Sequence, residues 1–113
     1  MANQLTRQPS PHVYLQQPTP QQVALFRRYS GGSFPFVDIG NRYLVPQAQY
    51  LPSALAGLSW AQVAAAMRDP ASPVGKDING AANMITAAIC ELTHGQPGNV
   101  CTSPGVIAAS RSI

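Results

Sequence analysis

A proline stands inside the best β-strand pattern of this chain, and it limits where that strand can lie in a sheet. The stretch "SFPFVDIGNRYLV", residues 33–45, holds two β-rich runs separated by Gly40-Asn41. A two-residue loop that begins with glycine is typical of a tight β-hairpin. Because proline has no N–H to donate, Pro35 confines its strand to an edge, a bulge or a strand start.

Helical patterns flank this hairpin. Residues 19–29, 59–70, 72–95 and 103–113 each begin with a Thr or Ser of the kind that caps helices. Apolar residues recur at three- and four-residue steps in two of them: Trp60, Val63, Ala64 and Met67 in the second, and Val74, Ile78, Ala81, Ile85, Ile89 and Leu92 in the third. We expect these stripes to be buried and Gly80 to allow close approach of another backbone.

The predicted order is therefore helix, strand, strand and three helices, with at most one helical turn around Pro52–Leu55 and a plain turn at "QPGNV". Bulky apolar groups on both faces of the first strand predict burial on both faces, as in an α/β sheet. The chain has 113 residues, enough for one small domain. Residues 1–18 are rich in Gln and Pro and predict an extended or disordered arm, in which "HVYLQ" is a candidate short strand.

Composition argues against several function classes. The net charge is +3, but the basic residues are scattered, which disfavours nucleic-acid binding. The sequence has no apolar run of about 18 residues for a membrane span and no signal-peptide core near Met1, so as written it is expected in the cytoplasm. His12 and His94 stand alone and are interpreted as solvated or capping residues, not metal ligands.

No cofactor, metal or catalytic residue is expected from motifs. Cys90 and Cys101 do not form a C-x-x-C pair and lack the neighbouring ligands of a zinc site. Paired carboxylates at plausible spacing, a Gly-rich phosphate loop and a Ser/His/Asp set are also missing. An enzyme of one of these other classes is therefore disfavoured.

The hairpin resembles the cis-proline hairpin of DsbA-type thioredoxin-like proteins. With "LAGLSWAQVAAAMRDPASPVG" and "INGAANMITAAICELTHGQPGNVC" it makes residues 14–110 similar to the C-terminal half of a prokaryotic thioredoxin-like family of unknown function. The resemblance implies an α/β fold over residues 19–113: half of a thioredoxin-like fold, with a helix, a cis-Pro hairpin, further helices and an incomplete sheet. It implies that Phe34 faces the substrate and that Pro35 is cis. A strand-start or bulge proline without a ligand is the alternative.

Family members carry a C-x-x-C motif in an upstream half, and often a membrane anchor, and this chain has neither. The resemblance therefore implies a partial protein related to thiol–disulfide oxidoreductases and without redox activity on its own. Its partner would be an extended peptide or a separate N-terminal half. If an upstream segment is missing from the sequence, the resemblance implies an extracytoplasmic or membrane-anchored location. The alternative function is a non-catalytic binding module, or a homodimer, that uses the open edge of residues 34–39.

Three further residues keep two interpretations each. Asp38 is either an acid near the substrate loop or a turn residue bonded to local backbone. Cys90 and Cys101 are either a structural disulfide, as suits an exported family, or a pair of reduced buried thiols. A catalytic role for the cysteines is disfavoured because no base is evident in the sequence.

Overall fold

A computed structural model describes residues 15–113 of the chain. It contains five α-helices, one 3₁₀ turn and one antiparallel hairpin: α1 (Pro20–Tyr29), β1 (Val37–Ile39), β2 (Tyr43–Val45), the 3₁₀ turn (Pro52–Leu55), α2 (Trp60–Met67), α3 (Pro73–Leu92), α4 (Gly98–Cys101) and α5 (Pro104–Ser110). The predicted order of elements and the incomplete sheet are confirmed. The short helix α4 replaces the turn predicted at "QPGNV".

The described residues form two compact units. The first ends at Ala48 and contains α1 and the hairpin, and the second, Gln49–Ile113, contains the 3₁₀ turn and α2–α5. The predicted arm, residues 1–18, and its candidate strand "HVYLQ" both begin before the described residues. His12 lies outside them. Residues 15–18, which are described, are neither helix nor strand.

Local hydrogen bonds fix where α1 and α2 begin. In α1, the Thr19 hydroxyl accepts from the Gln22 N–H at 3.2 Å, and the Gln22 side chain accepts from the Thr19 N–H at 2.8 Å. Ser59 and Gln62 repeat this reciprocal arrangement at the start of α2, with the same two distances. Both capping boxes were predicted from the sequence, because a box depends only on residues three positions apart.

The hairpin differs from its prediction in two ways. Val37 pairs with Val45 and Ile39 with Tyr43, so three residues connect the strands instead of two. Pro35 lies before β1, not within it. With Pro35 outside the paired residues, no ladder hydrogen bond is lost to it.

The strands are also less buried than predicted. Only Ile39 is buried, at 8% exposed, and the other five strand residues are half-buried. Opposed residues of an antiparallel pair share a face, so Asp38 and Leu44 form the second face of this two-stranded sheet. A carboxylate on that face is incompatible with the double burial typical of an α/β sheet.

Small residues line the packed face of α3 in the second unit. α3 contacts α2, α5, α4 and the 3₁₀ turn. The residues that are buried here are Gly75, Ala87, Ala88 and Val106. The predicted stripe of larger residues is therefore only half-buried, and Ile89 is 46% exposed. Helices that meet through alanine and glycine approach closely and leave bulkier side chains at the margins.

Of the four residues predicted to form the apolar face of α2, only Val63 is half-buried, and Ala64 is exposed together with both ends. Trp60 is 95% exposed and Met67 is 42% exposed, whereas Val63 and Ala66 are the half-buried residues of this helix. The close approach of another backbone segment that was predicted at Gly80 occurs instead at Gly75. A Cβ on Gly75 would press against the Ala66 and Asp69 carbonyl oxygens, while one on Gly80 would meet no atom within 4 Å.

α3 ends in a turn that reverses the chain. Thr93 caps the helix, His94 and Gly95 have φ angles of 55° and 79°, and the Gly95 N–H donates to the Cys90 carbonyl at 2.9 Å. Gly95 was predicted to end this helix, and its positive φ is the conformation that glycine adopts most easily.

Candidate functional site

Three phenylalanine rings form a cluster beside the start of β1. The rings of Phe26 and Phe34 stack with centroids 5.1 Å apart and planes inclined by 24°. The Phe36 ring meets Phe26 edge-on, at 5.4 Å and 89°. Offset-stacked and edge-to-face pairs are the favoured aromatic geometries. We call Phe26, Phe34 and Phe36 the aromatic cluster.

Phe34 is the outward-facing member of the aromatic cluster. It is 79% exposed, although its ring stacks on Phe26, which is half-buried in α1. The peptide bond between Phe34 and Pro35 is cis, and Pro35 is exposed. Phe34 and Pro35, the loop residues proposed from the sequence, therefore present apolar surface to solvent, and the ring of Phe26 packs against one face of Phe34.

Phe26 was not assigned to the site from the sequence. It was placed in the apolar stripe of its helix, which gives no hint that its ring supports a loop residue. Such a contact joins a helix to the segment after it, and three- and four-residue spacing carries no information about it.

Asp38 lies on β1 and holds the hairpin turn. Its carboxylate accepts a hydrogen bond from the Asn41 N–H at 3.0 Å, and the Arg42 N–H donates to the Ile39 carbonyl at 3.1 Å. Gly40 and Asn41 have φ angles of 60° and 58°, as at the central residues of a type I′ turn. This contact is the local backbone role that the sequence left open beside a role as an acid near the loop.

Cys90 and Cys101 are joined by a disulfide bond in the second unit. Cys90 lies in the last turn of α3, and Cys101 is the final residue of α4. Both residues are half-buried. Of the two interpretations kept from the sequence, the structure has the disulfide.

A cleft of about 300 Å³ opens beside this disulfide. Its lining combines the two cysteines with small, apolar and polar residues: Ala87, Cys90, Glu91, His94, Gly95, Cys101, Val106 and Ser110. We call it the disulfide cleft. The sequence interpretation treated His94 as an isolated residue and found no base near the cysteines. The structure places a histidine and a carboxylate in the same cleft as the bond.

A sequence signal for this juxtaposition exists. His94 follows Cys90 by four residues, which places two residues on one face of a continuous helix. The signal is incomplete, because α3 ends at Leu92 and His94 lies in the turn that follows. Glu91 is adjacent to Cys90. The position of Cys101 in the same cleft depends on the fold of α4 and α5, which spacing along the chain does not provide.

Residues 15–113 contain neither a candidate metal site nor a candidate membrane span. In this range no three side chains of the types His, Cys, Asp and Glu are grouped as a metal site would require. None of the helices there combines the length and the hydropathy needed to cross a bilayer. Comparisons with protein families, with curated proteins and with solved structures found no match for this chain.

Proposed function

We propose that this chain is a thioredoxin-like protein related to thiol–disulfide oxidoreductases, and that its hairpin unit binds extended peptide segments. Support for the relationship comes from the order of α1, β1 and β2, which agrees with the helix–hairpin order of the C-terminal half of a thioredoxin fold. The chain has no C-x-x-C motif, so the hairpin contributes binding and not redox chemistry.

The exposed Phe34 is the observation that carries the peptide-binding proposal. Large apolar side chains gathered at one exposed point are typical of interaction sites. Phe34 is 79% exposed and stacks on Phe26, so its outer face is available to a side chain of a bound peptide. An aromatic ring that is already positioned loses little conformational entropy on binding.

The backbone of β1 supplies the second part of the binding surface. Within residues 15–113, β1 pairs only with β2. In an antiparallel pair, every second residue directs its N–H and C=O away from the partner strand. An extended peptide that adds to such an edge forms main-chain hydrogen bonds, while side-chain contacts select its sequence. Phe34 lies three residues before Val37, where the edge begins.

Fluorescence anisotropy with a labelled eight-residue peptide of alternating valine and threonine tests this proposal on the full chain. We expect Phe34→Ala to weaken binding about fivefold to tenfold, the equivalent of about 1 kcal/mol for one aromatic contact. Trp60→Ala is the matched control, because Trp60 is 95% exposed but lies in the other unit. We expect the control to leave the affinity unchanged.

Two results would refute peptide binding at the hairpin. One is an equal affinity for Phe34→Ala and the unchanged chain. The other is an equal loss in Trp60→Ala and Phe34→Ala, which indicates unspecific adhesion to apolar surface. A second peptide of the same sequence, N-methylated at every backbone nitrogen, has no N–H to donate to the β1 edge, and undiminished binding of that peptide argues against strand addition.

Self-association through the same edge is the alternative function. An unpaired edge pairs equally well with a second copy of the same strand. Light scattering on a size-exclusion column at increasing concentration distinguishes the two. A dimer that dissociates when the valine–threonine peptide is added favours self-association over β1, and a monomer that binds the peptide favours recognition of a separate partner.

A further inference from the structure

The disulfide cleft brings together the groups that thiol–disulfide exchange requires. Both cysteines are half-buried and line the cleft, so the bond is open to a small molecule from one side. His94 and Glu91 line the same cleft and are exposed. A disulfide that serves only to tie two helices together needs neither an open cleft nor a titratable neighbour.

The shape of the cleft follows from the end of α3. The Gly95 N–H bonds to the Cys90 carbonyl at 2.9 Å, which folds the residues after Leu92 back over the last helical turn. The Thr93 hydroxyl donates to the Gln96 carbonyl at 2.6 Å and holds the outgoing chain. These bonds position the turn in which His94, although exposed, lines the same cleft as Cys90.

Two of the residues that line the cleft are apolar and buried. Ala87 of α3 is 1% exposed and Val106 of α5 is 4% exposed. Both belong to the interface between these helices, the largest helix contact in the second unit. The cleft thus combines the disulfide with two buried apolar residues and with the polar residues Glu91, His94 and Ser110.

We propose that the Cys90–Cys101 disulfide is a thiol–disulfide exchange site for low-molecular-weight thiols, with His94 as the proton donor and acceptor. This activity goes beyond peptide binding at the hairpin, and it resides in the other unit. A cleft of about 300 Å³ is at the lower end of the volumes of ligand pockets, which suits a thiol of tripeptide size or smaller.

The first step forms a mixed disulfide. The thiolate of the incoming molecule attacks one sulfur of the pair and makes a new S–S bond with it. The electron pair of the old bond moves to the other cysteine sulfur. That thiolate takes from His94 the proton that the incoming thiol gave to this histidine when it became a thiolate.

The second step completes the exchange. A second thiol gives its proton to His94, and its thiolate attacks the sulfur of the first molecule in the mixed disulfide. The second cysteine leaves as a thiolate and is protonated by His94. In total, two small thiols are oxidised to their disulfide, and Cys90 and Cys101 are reduced to thiols with the two protons that the small thiols released.

Glu91 sets the preferred charge of the small thiol. It is the only carboxylate among the residues that line the cleft, and the C-terminal end of α3 adds the negative end of a helix dipole there. A thiol that carries an ammonium group is therefore favoured over one that carries a carboxylate.

The test measures reduction of the full chain by thiols under native conditions, with free cysteines trapped by a maleimide and counted by intact mass. The variant is His94→Asn, because asparagine tolerates the positive φ at this position and removes only the titratable ring. We expect His94→Asn to slow reduction about tenfold or more, as for loss of a general acid. Lys76→Gln, on α3 and outside the cleft, is the control with no change expected.

A second measurement compares cysteamine, which is cationic, with mercaptoacetate, which is anionic. The ratio of their two reduction rates is measured for the unchanged chain and for Glu91→Gln, so that the intrinsic reactivities of the thiols cancel. We expect Glu91→Gln to lower the preference for cysteamine about twofold to threefold, as for one charge near a solvated site.

The thermal unfolding midpoint of each variant separates exchange from stability. A slower reduction in His94→Asn with an unchanged midpoint supports the exchange site. Reduction that occurs only in denaturant, or at one rate in the unchanged chain and in His94→Asn, overturns it and leaves the bond structural. Because peptide binding at the hairpin uses the other unit, its failure leaves this result unaffected, and the reverse also holds.

Discussion

The ring of Phe34 stacks on the ring of Phe26, with centroids 5.1 Å apart, and remains 79% exposed. One face of Phe34 is thus fixed by α1 while the other is open. Phe26 contacts a second ring as well, that of Phe36. The helix residue therefore supports the loop, and the loop residue supplies exposed apolar surface.

This division of roles predicts unequal losses of stability. We expect Phe26→Ala, which removes two ring contacts, to lower the free energy of unfolding by about 2 kcal/mol, and Phe34→Ala, which removes one, by about 1 kcal/mol. Urea unfolding followed by circular dichroism measures both. Equal losses would contradict the view that Phe26 is the centre of the aromatic cluster.

The two glycines of α3 predict opposite effects of the same substitution. Gly75→Ala places a methyl group against the Ala66 and Asp69 carbonyl oxygens, so we expect a loss of about 1–3 kcal/mol, as for overpacking. Gly80→Ala meets no atom within 4 Å and gains helix propensity, about 1 kcal/mol of stabilisation. Thermal midpoints of the two variants should move in opposite directions. A fall for both would mean that α3 does not pack as described.

Ser72 and Ser59 predict different costs for losing a helix cap. The Ser59 hydroxyl accepts from Gln62 alone, and Ser59→Ala should cost about 1 kcal/mol. The Ser72 hydroxyl accepts from the Gly75 N–H at 2.9 Å, and its proton is shared between the Ala66 and Asp69 carbonyl oxygens, each 2.8 Å away. We expect Ser72→Ala to cost about 2 kcal/mol, since it also breaks a contact with α2. A lower urea midpoint for Ser59→Ala than for Ser72→Ala would argue against the hydrogen bond that joins Ser72 to α2.

The hairpin turn predicts which residues Asn41 can be exchanged for. Its φ angle of 58° lies in the left-handed region, which asparagine and glycine tolerate. Asn41→Gly should change the free energy of unfolding by less than about 0.5 kcal/mol, and Asn41→Val should lower it by about 1–2 kcal/mol. Urea unfolding of the pair tests the turn, and a harmless Asn41→Val would indicate another turn geometry.

We expect removal of the disulfide to lower the free energy of unfolding by an amount that depends on the length of the loop it closes. Cys90 and Cys101 are 11 residues apart, and release of this loop in the unfolded chain is worth about 3 kcal/mol in chain entropy. We expect the double variant Cys90→Ala and Cys101→Ala to lose that amount and to match the unchanged chain in excess reductant. If the double variant and the reduced unchanged chain differ in free energy of unfolding, or if the loss is under about 1 kcal/mol, the stabilisation by the disulfide is not explained by chain entropy.

Features that depend on neighbouring residues were predicted well. The capping boxes at Thr19 and Ser59, the start of α3 at Pro73 and the 3₁₀ turn were all confirmed. Ser103 precedes α5 as predicted, but its hydroxyl donates to the Val100 carbonyl and makes no cap bond. The preceding helix α4, which was not predicted, supplies that acceptor.

The candidate sites were predicted only in part. The exposed loop at Phe34 was expected, but its support by Phe26 was not, and the cysteine pair was expected without the histidine and the carboxylate beside it. Both omissions concern contacts between segments. A single sequence specifies which residues each segment offers, and not which of them meet.

The sequence by itself determined much of the local structure of this protein: the order of α1, the hairpin, α2, α3 and α5, the residues that begin α1, α2 and α3, and the positive φ angles at Gly40-Asn41. Those features depend on hydrogen bonds and φ preferences within a few residues. The tertiary structure decided that α3 buries Ala87 and Ala88 while Trp60 and Ile89 remain exposed. Burial depends on how closely two helices approach, and close approach favours the smallest side chains over the most apolar ones.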